Sequence, residues 1–84
     1  MNSKQSKTRR AIFAEPTPAN IAWGDIERLL VAVGCVMTEG SGSRVHFEHG
    51  AEAESFHRPH PGKEAKRYQV RIAREFLERI GVKI

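Results

Sequence analysis

The sequence predicts a single small α+β domain. Its order is αβββα, a three-stranded antiparallel sheet with both helices on one face. Three observations predict it. An 84-residue chain has room for one compact core and no second one. Two stretches repeat apolar residues with the period of a helix, and between them lie short segments that alternate polar and apolar residues as half-buried strands do. Glycines and prolines mark the joints.

The first 16 residues read as a flexible basic tail, because Lys4, Lys7, Arg9 and Arg10 fall in a polar stretch without clear hydrophobic periodicity. The folded domain is expected over residues 17–84. Pro16 and Pro18 precede Asn20, a good N-cap, and a first helix is predicted over residues 21–33. There Ile26, Leu29, Leu30 and Val33 share one face, Trp23 extends that stripe by a turn, and Gly34 suits the left-handed position that ends a helix.

Cys35 to Thr38 forms a short predicted strand, followed by the small-residue turn Glu39-Gly40-Ser41-Gly42-Ser43. In the second strand, Val45 and Phe47 face the core, which sends Arg44, His46 and Glu48 to the opposite side. Gly50 makes a turn into a third strand over residues 51–58. With Phe56 inward, Ser55 and His57 join Arg44 and His46 on the outer face. Pro59 and Pro61 end that strand. A last helix over residues 67–80 lines up Ile72, Ala73, Phe76, Leu77 and Ile80, with Gly81 as its stop.

Composition narrows the partners. A formal net charge of +4 and a sequence pI near 9.7 favour nucleic acid, anionic lipid or an acidic protein. Lone Cys35 excludes an internal disulfide and a four-cysteine zinc site. With no apolar stretch long enough for a signal peptide or membrane span, the protein is expected in the cytoplasm and away from membranes. The pairs His46/His49 and His57/His60 have a spacing that puts their members on opposite faces of a strand, so no metal site is expected. No other cofactor is expected either.

The most informative stretch is His57-Arg58-Pro59-His60-Pro61-Gly62-Lys63, where prolines extend the backbone and Arg58, Lys63, Lys66 and Arg67 gather positive charge. Such a loop suits phosphate. The order of helix, Gly-Ser-rich turn, strand hairpin, Arg58-Pro59-His60-Pro61-Gly62-Lys63-Glu64 loop and terminal helix resembles the HicA toxins of bacterial toxin–antitoxin pairs. The resemblance runs from about Ile21 to Val82.

It implies a fold like that of double-stranded-RNA-binding domains, metal-independent cleavage of mRNA, and neutralisation by a HicB-like antitoxin. In the family a histidine usually follows the Gly-Ser pair and is the catalytic residue; here Arg44 follows Gly42-Ser43. His46, two residues farther along the strand and about 7 Å away on the same face, is the expected replacement, with Arg44 and His57 completing the catalytic set. Arg58, His60, Lys63, Lys66 and Arg67 are the expected RNA-binding residues. An RNA-binding module of this fold that has lost cleavage, and a basic domain that binds only an acidic protein, are the competing readings.

Overall fold

The computed structural model describes residues 2–83. Six elements follow one another: α1 (Ser3–Ile12), α2 (Trp23–Ala32), β1 (Val36–Glu39), β2 (Arg44–His49), β3 (Glu52–His57) and α3 (Arg67–Arg79). The strands form one antiparallel sheet in the order β1-β2-β3. The α+β class and the three-stranded sheet are as the sequence predicts, and they make a fold like a double-stranded-RNA-binding domain with one helix added at the front.

That added helix corrects the expectation of a flexible tail. Asn2 Oδ1 accepts a hydrogen bond from the Gln5 N–H and Gln5 Oε1 accepts one from the Asn2 N–H, a capping box that starts α1. A ten-residue helix is marginal alone. Burial holds this one: Ile12 is fully buried and Thr8 nearly so. Arg74 of α3 fastens its C-terminal end by donating from Nε to the Ile12 carbonyl and from Nη2 to the Ala14 carbonyl, each at 2.9 Å, while Nη1 pairs with Glu15. In the sequence, Arg74 reads as part of a solvated helix face.

Helix α2 begins two residues later than predicted, with Ala22 rather than Asn20 as its N-cap and no side-chain cap. A backbone partner takes over that work. Trp23 donates its N–H to the Lys63 carbonyl and Ala65 donates to the Ile21 carbonyl, both at 2.8 Å, so the loop after Pro61 is stitched to the start of α2. The helix ends at Gly34, whose φ of +106° lies where only glycine is at ease; Cys35 N–H then closes on the Leu30 carbonyl at 3.0 Å.

One face of the sheet carries Val45, Phe47 and Phe56, all buried against Ile26, Leu29 and Leu30 of α2 and Val70, Ala73, Phe76 and Leu77 of α3. Trp23 belongs to this core, its ring 5.0 Å from that of Phe56 and its indole N–H on Glu27. Among the described residues no element covers the other face of the sheet, which leaves it to the site.

Candidate active site on the outer face of the sheet

Alternation and register together decide what shares the bare face. With Val45 and Phe47 inward, Arg44, His46 and Glu48 of β2 point outward. Arg44 lies opposite His57 of β3, and His46 lies between Thr38 of β1 and Ser55 of β3. The expected catalytic trio therefore occupies two successive outward-facing rungs of the ladder, with the inward pair Val45–Phe56 between them. Directly opposed side chains have Cβ atoms about 5 Å apart, so Arg44 and His57 are neighbours.

His46 is held more firmly than its surface position suggests. Its Nδ1 is 2.8 Å from Ser55 Oγ, while Glu48 Oε2 stands 3.7 Å from Nε2, beyond hydrogen-bond length. Ser55 and Glu48 are the residues that sequence reasoning left without a role; the alternation of β3 around Phe56 was the available signal for Ser55. A surface depression of about 260 Å³ opens beside this pair, lined by Gly40, Ser41, Arg44, Val45, His46 and Ser55.

The turn that rims the depression depends on a small residue. A Cβ on Gly40 would come within 3.2 Å of Arg44 Cβ, and Gly40 N–H donates to the Arg44 carbonyl at 3.0 Å. The absence of a side chain at Gly40 thus serves the turn's own closure on β2. On the far side, Arg58 N–H donates to the Ser43 carbonyl at 2.8 Å and joins the proline-rich loop to the same end of the sheet.

The residues expected to grip RNA are spread more widely. Arg58 spends its guanidinium inside the fold, donating from Nε to Glu27 Oε2 and from Nη1 to Glu39 Oε1, both at 2.7 Å. Those carboxylates raise its pKa still further above the ordinary arginine value. Lys63 lines a shallow groove with Ala22, Trp23, Gly24, Arg28, Arg58, Pro59 and Gly62, on the α2 side of the loop. His60 is exposed in that loop. Lys66 is the N-cap of α3, and exposed Arg67 donates to the Thr17 carbonyl at 3.1 Å.

Two further groups position the site. Gln69, fully buried, donates from Nε2 to the His57 carbonyl at 2.7 Å and accepts from the Lys66 N–H at 3.0 Å, which ties the end of β3 to the start of α3. Its place three residues after the cap is the signal that could have found it. His49 packs on the other side of the sheet, with Nε2 3.4 Å from where a Cβ on Gly34 would stand. Burial pushes the Cys35 thiol pKa up, which makes it a poor nucleophile.

Among the described residues, no three His, Cys, Asp or Glu side chains gather where they could hold a metal ion, and no helix is long and apolar enough to cross a membrane. Residues 23–82 match the family model described as the HicA toxin of bacterial toxin–antitoxin systems. The chain belongs to the HicA toxin family. No curated protein and no solved structure gives a significant match to it. The HicA match covers α2 through α3, so it contains the sheet, the Gly-Ser turn and the proline-rich loop but not α1. Membership makes this HicA chain the toxin of a toxin–antitoxin pair and implies a cognate antitoxin.

Proposed function

We propose that this HicA toxin is an mRNA interferase, a cytoplasmic endoribonuclease that works without a metal ion and is silenced by a HicB-like antitoxin. The observation that supports it most is the His46 imidazole, fixed by Ser55 on the bare sheet face beside Arg44. RNA brings its own nucleophile, the 2′-hydroxyl, so a base, an acid and a positive charge suffice.

In the tautomer that donates Nδ1–H to Ser55 Oγ, the Nε2 of His46 has the lone pair a base needs. It takes the proton of a 2′-hydroxyl, whose oxygen forms a bond to the adjacent phosphorus. The P–O5′ bond breaks, and protonated His57 gives its proton to the departing O5′. The products are a 2′,3′-cyclic phosphate and a 5′-hydroxyl. Arg44 stabilises the charge that builds on the phosphorane oxygens. His46 would thereby do the work that the family assigns to the histidine at the Arg44 position, from two residues farther along the strand.

Lys63, His60, Lys66 and Arg67 would contact the RNA backbone around the loop and the start of α3. Arg58 would act indirectly, by holding the loop. A HicB-like antitoxin with an acidic patch would cover the same face, since charge complementarity sets the approach of such partners. The second reading, an RNA-binding module that leaves RNA whole, is favoured only by Arg44 at the histidine position.

The test is cleavage of end-labelled mRNA by the purified protein in EDTA, with analysis of the product ends. Cyclic-phosphate and 5′-hydroxyl ends support the mechanism. RNA bound but uncut would leave the binding-module reading, and 5′-phosphate ends would rule out attack by the 2′-hydroxyl.

A further inference from the structure

The positive charge of the molecule is distributed unevenly. Lys4, Lys7, Arg9 and Arg10 all lie in α1, which has no acidic residue. The rest of the chain has as many Asp and Glu as Lys and Arg, so the whole formal net charge of +4 resides in this one helix. Folding accounts for only part of that. Docking uses Thr8, Ile12, the Arg74 clamp and the Lys4–Asp25 pair, and Arg9 and Arg10 suit the C-terminal end of the helix dipole, whereas Lys7 serves neither purpose and Lys4, in the first turn, works against the dipole.

Lys4, Lys7 and Arg10 are exposed, and each is three residues from the next, a spacing that brings side chains to within about 5–6 Å along a helix flank. Lys4 and Lys7 also line a groove that runs past Ala11 to Asn20, Ile21, Ala22 and Asp25. Lys4 bridges to Asp25 at 3.6 Å there, which leaves Lys7 as the groove's other cation. Ala22 is shared between this groove and the one beneath the proline-rich loop that contains Lys63. The two grooves thus meet at Ala22, with Lys7 on the α1 side and Lys63 on the loop side.

We propose that α1, which lies outside the family match, is a rigid docking rail for the sugar–phosphate backbone of the RNA, whose cations add phosphate contacts to those made around the sheet face and loop. The proposal rests on RNA being the ligand and requires no cleavage. Because the helix is anchored at Ile12 and by Arg74, its cations are held in place before RNA arrives, and binding does not have to order a loose tail.

The experiment uses single-stranded RNA with 2′-O-methyl groups, which has no nucleophile and stays whole. Its affinity is measured by fluorescence anisotropy across a salt series for the wild type, Lys7→Gln/Arg10→Gln, and the control Arg71→Gln/Lys83→Gln. The control removes the same charge from exposed positions elsewhere. Thermal melts check that all three fold.

If two phosphate contacts are lost, the slope of log K against log salt becomes shallower by about 1.4 and affinity at physiological salt drops roughly tenfold, with a smaller loss in the control. Equal losses in both variants would reduce the effect to overall charge and overturn the proposal. Unchanged RNA affinity in Lys7→Gln/Arg10→Gln would also overturn it, and would leave the helix to an acidic protein partner. A wild type that binds through α1 but cuts no unmodified RNA would sink the catalytic reading alone.

Discussion

The guanidinium of Arg58 donates from Nε to Glu27 Oε2 at 2.7 Å, joining the end of β3 to α2 across 31 residues of sequence. Its second branch reaches Glu39 of β1, so one side chain locks the proline-rich loop to a helix and to the edge strand. Arg58→Met is expected to cost about 1–2 kcal/mol in urea unfolding: Arg58 and Glu39 are 30% and 66% exposed, which keeps that pair weak, but Glu27 at 17% would be left with only the Trp23 indole. Arg58→Lys should recover little, because an ammonium cannot span both carboxylates as a fork.

The same clamp gives a pH dependence with a definite sign. The hydrogen bond from Arg58, and then its charge, holds the Glu39 carboxyl below its ordinary value of 4.5. A depressed carboxyl contributes stability that is complete above the ordinary value and is lost as pH falls through the depressed one. Asp25 behaves alike, held below 3.8 mainly by its hydrogen bond from Arg28. Stability followed by circular dichroism should therefore fall below about pH 4.5 in the wild type and fall less steeply there in Arg58→Met, which has already lost the Glu39 contribution.

Helix α1 should detach without unfolding the rest. Ile12→Ala removes its one fully buried aliphatic side chain and is expected to cost about 2–4 kcal/mol. Hydrogen exchange would show the loss first in the amides of residues 3–12, while those of β2 and α3 exchange later. Simultaneous loss of protection in all of them would mean that α1 is integral to the core.

Much of this arrangement is legible in the sequence, and the misses have physical causes. Strong periodicity in α2 and α3 and clean alternation around Val45, Phe47 and Phe56 placed the sheet and its bare face. Helix α1 has one local signal, the Asn2–Gln5 capping box, but what holds it is tertiary: one isoleucine, a threonine and an arginine from α3, 62 residues beyond Ile12. Arg58 reads as an RNA contact because a basic residue in a proline-rich loop suits phosphate; only the fold brings Glu27 and Glu39 to it and gives its guanidinium two partners within the chain. Asn20 looked like a helix cap because nothing local announces that the Lys63 carbonyl will take the Trp23 N–H.

In the proposed reaction Ser55 acts only through His46. Ser55→Ala should lower the cleavage rate roughly tenfold, the value of one neutral hydrogen bond that fixes the ring and its tautomer. Ser55→Thr keeps the hydroxyl and should recover most of the rate. RNA affinity should be unchanged in both, which separates positioning from binding.

The most direct test of the central claim is single-turnover cleavage of labelled mRNA in EDTA by the wild type and by His46→Ala. If His46 is the base, the variant folds like the wild type, binds RNA as tightly, and cuts on the order of 10²–10⁴-fold more slowly. Cleavage by His46→Ala at the wild-type rate would contradict the account and return the search for the base to the other residues of the sheet face.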